Sequence, residues 1–152
     1  KYSNNIQFGN FFKNESVVVN MFESKEPNWN TFGFSPYQWK HIDISSIYST
    51  SALTFKIKSY EIPELEVFLF AYSGKKRMVQ IKIEQKHIID KKNGVYEAYL
   101  PLKSINGHTQ FKWDDLKEIR FKTLNDTKFE IGDFKLIEFR GNPKKPNQWK
   151  GI

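Results

Sequence analysis

Ala52-Leu53-Thr54-Phe55-Lys56-Ile57-Lys58 alternates strictly, with Leu53, Phe55 and Ile57 on one side of an extended chain and Thr54, Lys56 and Lys58 on the other. Successive side chains of a strand point to opposite faces, so the pattern is that of a strand with one face in a core. The same period returns after the turn-like Ile62-Pro63-Glu64, in Leu65-Glu66-Val67-Phe68-Leu69-Phe70-Ala71-Tyr72. It returns again over residues 78–84, where Val79, Ile81 and Ile83 alternate with Gln80, Lys82 and Glu84. Asn93-Gly94 is a hairpin-type turn signal leading into Val95-Tyr96-Glu97-Ala98-Tyr99-Leu100, which closes at Pro101. Residues 116–124 and 129–139 supply two more strands, joined by a turn at Asn125-Asp126, and the β-branched run Val17-Val18-Val19 marks another over 16–22. Helix is confined to single turns at 44–47 and 113–116, too short for a βαβ crossover. The expected fold is all-β, an antiparallel sandwich or barrel.

The length of 152 residues sets a single domain, large enough to bury a core without staples. No cysteine is present, which excludes disulfides, a thiol nucleophile and thiolate metal sites. No apolar run approaches the length of a membrane-spanning helix. A chain that opens on Lys1 rather than Met is expected to be a segment of a longer product. The domain is expected over 1–139, and 140–152, with Pro143, Pro146 and four basic residues, reads as a linker or tail.

The net charge of +7 is local. Residues 73–92 hold seven basic side chains against two acidic, and 140–152 hold four against none, while the rest is close to neutral. Only Arg77, Arg120 and Arg140 are arginines, although Arg is the residue suited to bidentate phosphate recognition. Single-stranded nucleic acid is bound by aromatics on a basic sheet. The neutral body, the scarcity of Arg and the lack of an RNP-type run speak against it.

Catalytic constellations are missing. His41, His87 and His108 share no metal-ligand spacing, Asp114-Asp115 and the Glu64/Glu66 pair read as solvated acids, and no glycine loop cradles a phosphate. The aromatic content of 16% is the unusual feature. It falls in two groups. Asn28-Trp29-Asn30-Thr31-Phe32-Gly33-Phe34-Ser35-Pro36-Tyr37-Gln38-Trp39 has no clean period and reads as a loop, with Phe32 and Phe34 plugging the core and Trp29, Tyr37 and Trp39 open to a ligand. On the strands, Phe68, Phe70 and Tyr72 share the face opposite the core. Matching faces elsewhere hold Lys56, Gln80, Lys82, Tyr99 and Arg120, with Arg77 on the basic turn Lys75-Lys76-Arg77. Flat apolar rings with polar margins suit sugars, and the cations point to an acidic one.

The run Trp39-Lys40-His41-Ile42-Asp43-Ile44-Ser45, then 53–58, then 96–102, resembles the jelly-roll carbohydrate-binding modules of the galactose-binding-like fold. So does Leu116-Lys117-Glu118-Ile119-Arg120-Phe121 followed by Phe129-Glu130-Ile131-Gly132-Asp133-Phe134-Lys135-Leu136, and the likeness spans residues 16–139. It implies a secreted, non-catalytic, monomeric module beside a polysaccharide-degrading enzyme. It also implies a structural calcium near the chain ends, for which Glu23 and Asp133 are the matching acids, Gly132 replacing the first acid of the family pair. No other cofactor is expected. The reading is a jelly-roll module that targets such an enzyme to its glycan; the charge suggests an anionic polymer, and a neutral glucan stays open because Lys also donates to hydroxyls. The alternatives are a small jelly-roll lyase or hydrolase, and an accessory domain whose aromatic loop packs on a catalytic neighbour.

Overall fold

The computed structural model describes residues 6–9, 16–21, 31–35, 40–124, 127–139 and 149–151. Within them run β1 Ile6–Gly9, β2 Ser16–Met21, β3 Thr31–Phe34, β4 Ser51–Ser59, β5 Leu65–Ala71, β6 Met78–Lys82, β7 Ile88–Asp90, β8 Val95–Pro101, β9 Leu116–Thr123, β10 Thr127–Phe139 and β11 Trp149–Gly151. One sheet has the order β1-β2-β10-β4-β8-β7, with β11 also on β10, and the other has the order β3-β9-β5-β6. Every strand pair is antiparallel. Helix is limited to short 3-10 turns among the described residues. The expected all-β sandwich is what the chain forms.

The alternation that marked β4 and β5 sets the two inner faces. Phe55 and Ile57 on β4, and Leu65 and Val67 on β5, are wholly buried. The layers meet through rings. Phe55 stands edge-on to Phe121 of β9 at 5.2 Å, and Phe32 of β3 lies parallel to Phe121 at 5.2 Å and near Phe129 of β10 at 6.4 Å. Such pairs hold ring against ring beyond the area they bury.

One expectation changes. Residues 31–34, read as loop, form a strand on β9 with Phe32 opposite Phe121 and Gly33 opposite Arg120. Gly33 permits this close approach: a Cβ there would lie 2.8 Å from Arg120 Cγ and 2.9 Å from the Ile119 carbonyl oxygen. Trp149–Gly151 pairs with residues 137–139.

Candidate functional site

The outer face of the β3-β9-β5-β6 sheet gathers most of the aromatic and polar groups on neighbouring strands. Register sets the rows. Gly33, Arg120, Phe68 and Gln80 lie side by side across the four strands, and Thr31, Lys122, Glu66 and Lys82 form the next row. Beyond Phe68, Phe70 is flanked by Glu118 on β9 and Met78 on β6. Same-face residues on one strand are spaced by about 6.5 Å. The Phe68 and Phe70 rings accordingly lie 6.4 Å apart, inclined by only 21°, as one half-buried strip.

Arg120 holds the strip from the β9 side. Its guanidinium carbon sits 5.1 Å from the centre of the Phe70 ring, and Nε is 2.8 Å from Glu118 Oε1. Glu118 is nearly buried and also accepts a 3.4 Å hydrogen bond from Ser35. The ion pair anchors the guanidinium, which lies against one side of the Phe70 ring.

The strip continues at Tyr72. A register shift after Phe70, where Ala71 pairs with Leu116, leaves Lys117 as an extra residue on β9. A bulge of this kind re-aims a side chain, and the Lys117 ammonium lies 5.5 Å from the centre of the Tyr72 ring. His41 stacks on Tyr72 with 4.1 Å between centroids and 10° between planes. The bridge between Ile42 and Leu116 brings it there by extending the β3 side of β9. His41 Nδ1 is paired with Asp115 Oδ1, and Ser73 donates its hydroxyl to Asp115 Oδ2. The Ser73 hydrogen bond, with His41 and Lys112 nearby, holds the Asp115 carboxyl below the usual carboxylate range.

Among the described residues, Gln80 and Lys82 share the strip's face, and the other remaining expected site residues lie elsewhere. Lys56 and Tyr99 are on the opposite sheet, β4 and β8, with outward side chains on the far side of the sandwich, so one ligand surface does not collect them with Phe70. Tyr99 packs on Ala52 and Ile137, and burial, with Glu97 beside it, pushes its phenol above the usual range. Lys56 is 2.8 Å from Asp133 Oδ2, which holds its ammonium above the ordinary lysine range. Arg77 is exposed in the β5–β6 hairpin, donating Nε to the Gly74 carbonyl at 3.2 Å. Gln80 and Lys82 are exposed on β6. Trp29, Tyr37, Trp39 and Glu23 lie outside the described residues.

Asp133 does not fit a calcium site. It occupies a bulge of β10 at φ 54°, between Lys56 at 2.8 Å and Lys135 Nζ at 3.5 Å. Two ammonium groups around one carboxylate are the reverse of the oxygen cage that a hard cation needs. Among the described residues no group of three or more His, Cys, Asp or Glu is placed to hold a metal. Alternation around Ile42 and Ile44 could have pointed to His41. Glu118 and Ser35 carried no such signal.

A two-sheet sandwich with an aromatic strip, amides and cations on one outer face is the class of β-sandwich ligand-binding modules. The chain belongs to the family Carbohydrate binding domain 30, whose family profile matches residues 2–138. It is a carbohydrate-binding module. The family 30 carbohydrate-binding module of the cellulosomal cellulase Cel9D-Cel44B of Clostridium thermocellum is similar in fold, with TM-score 0.62 and 11% identity over 93% of this chain and 86% of that one. A second family 30 carbohydrate-binding module gives TM-score 0.58 and 16% identity over 82% of this chain and 76% of that one. PfGH50B gives 0.51 and 13%, over 92% of this chain but 22% of its own. At these identities the likeness is one of fold. No curated protein matches the chain.

Proposed function

We propose that the chain is a non-catalytic module that holds a polysaccharide-degrading enzyme on its glycan, with the glycan lying along the outer face of β3-β9-β5-β6. The observation that carries this is the Phe68–Phe70 strip, with Arg120 over Phe70 and Gln80 opposite Phe68. A pyranose presents a C–H face ringed by hydroxyls, so a flat apolar strip with polar groups at its margins complements it.

Charge on this face is close to balanced. Arg120, Lys122, Lys82 and, at Tyr72, Lys117 stand against Glu66, Glu118 and Asp115, Arg120 being paired to Glu118 at 2.8 Å and Lys82 lying opposite Glu66. That supports stacking on a neutral glycan rather than capture of a polyanion. Lys75, Lys76 and Arg77 are exposed only in the hairpin beyond Tyr72. Appendage to an enzyme is supported by the module from the cellulase Cel9D-Cel44B, and by PfGH50B, of whose chain the match is a small part. The module is expected to act outside the cell, beside that enzyme.

The test is affinity electrophoresis and calorimetry against cellohexaose, xyloglucan, carboxymethylcellulose and polygalacturonate. Phe68→Ala and Phe70→Ala are expected to weaken binding by about tenfold or more, the loss of roughly 1.4 kcal/mol or more. Lys56→Ala, on the far sheet, is expected to stay within about twofold of the parent. Full affinity in both Phe variants would rule this face out. Binding to the neutral glycans is expected to change little with salt, whereas a steep decline would restore the anionic ligand.

A further inference from the structure

We infer that His41 is the sugar-facing ring at the hairpin end of the strip, presenting Nε2 to a hydroxyl, and that Tyr72, Asp115 and Ser73 are the positioning residues beneath it. The inference rests on the proposed binding face and adds to it a residue that sequence patterning assigned no role. Tyr72 was the expected stacking residue, yet the imidazole lies parallel to its ring at 4.1 Å and covers one face. Outermost of the two is His41, with 60% of its side chain exposed, against a half-buried Tyr72.

Orientation is set from below. Asp115 is 11% exposed, and each of its oxygens has a partner, Oδ1 with His41 Nδ1 and Oδ2 with the Ser73 hydroxyl. An ionised carboxylate only accepts, so Nδ1 must carry the proton. That fixes the tautomer and leaves Nε2, on the other side of the ring, as an acceptor in neutral imidazole. A sugar hydroxyl both donates and accepts, and so satisfies Nε2 whether or not the ring takes a second proton. A carboxylate or sulfate on the glycan would find a donor there only in the imidazolium form.

The same three side chains match a nucleophilic triad in composition only. In such a triad the imidazole takes the serine proton. Here the carboxylate stands in the middle, and the Ser73 hydroxyl spends its proton on Asp115. The chemistry is that of a held ring.

Two measurements test this on the whole chain. Imidazole 15N spectra of the free protein are expected to show His41 as the Nδ1–H tautomer, with Asp115→Asn shifting it toward a mixture; an Nε2–H tautomer in the parent overturns the inference. In calorimetry with the glycan of the panel above that the parent binds best, His41→Ala is expected to weaken binding about fivefold to tenfold. His41→Phe, which keeps the stack and removes Nε2, is expected to fall between that variant and the parent. Affinity in His41→Ala within about twofold of the parent, while Phe70→Ala loses binding, overturns the role of His41 and leaves the strip standing. Unchanged affinity in Phe70→Ala as well, or no binding to any glycan by the parent, overturns both.

Discussion

Arg120→Ala is the substitution that should reveal how the strip is held. The side chain is half exposed, so a surface reading expects little from its loss. The structure expects more. Removing the guanidinium from its place 5.1 Å from the Phe70 centroid forfeits a cation–ring contact worth about 0.5–1 kcal/mol at an exposed site. The larger cost falls on Glu118, whose side chain is 10% exposed and whose Oε1 is 2.8 Å from Arg120 Nε. Without Arg120 the carboxylate keeps the long hydrogen bond from Ser35 at 3.4 Å. A stranded, nearly buried acceptor costs about 1–3 kcal/mol. Together these give roughly 1.5–4 kcal/mol, or about 3–16 °C in Tm for a domain of this size.

The second variant isolates the cause. Glu118→Gln in the Arg120→Ala background removes the unpaired charge and should return about 1 kcal/mol or more, so that the double variant is more stable than Arg120→Ala alone. Arg120→Lys keeps the charge but not the planar fork, and should recover about half of the loss. Urea denaturation of the four proteins reads all of these values. A double variant no more stable than Arg120→Ala would show that Glu118 is not stranded, and would refute the reasoning.

Three further outcomes follow from particular geometries. Gly33→Ala sets a Cβ against the Ile119 carbonyl oxygen at 2.9 Å as well as against the flexible Arg120 stem, so β3 must shift; a loss of about 1–3 kcal/mol in urea denaturation is expected, with weaker glycan binding. At Asp133, φ is 54°, so Asp133→Gly loses the side chain with its ion pairs to Lys56 and Lys135 but relieves the backbone, while Asp133→Ala loses the same pairs and keeps the strain, and should be less stable by about a further 1 kcal/mol. His87 is buried, and burial, with Lys86 nearby, holds its imidazole below the ordinary 6.5, while Nδ1 accepts the Glu84 N–H at 2.9 Å. The unfolded chain therefore binds a proton that the folded chain resists. Stability falls as pH drops below about 6.5, until the folded pKa is passed. Denaturation midpoints of His87→Asn, which keeps an acceptor there, should lack that share of the decline between pH 7 and 5.

Much of the fold was legible because period-2 alternation reports which side of a strand faces the core. Leu65, Val67, Leu69 and Ala71 are buried, as their spacing requires, and Phe68 and Phe70 turn outward. The segment 31–34 was not legible. It offers Phe32 and Phe34 around a glycine, and the flanking Asn, Ser and Pro outweigh so short a pattern. What made it a strand was the β9 backbone, to which Gly33 gives room. Long-range polar contacts were equally invisible. Ser35 and Glu118 are 83 residues apart, and nothing local to either announces the other.

Alternation alone does not say which outward faces belong together, and on that the site depends. Lys56 on β4 and Phe70 on β5 each stand opposite a core position, with the same local pattern and a short connection between their strands. They end on opposite sides of the sandwich because β5 pairs with β9 and β6, and β4 with β10 and β8. Those partners are held in place by rings meeting across the core, Phe55 on Phe121 and Phe32 on Phe129. A candidate set drawn from outward residues of every strand therefore mixes two surfaces. The pairing sorts it: Gln80, Lys82 and Arg120 stay with Phe68 and Phe70, Lys56 and Tyr99 leave, and His41 enters only because Ile42 bridges to Leu116 at the end of β9.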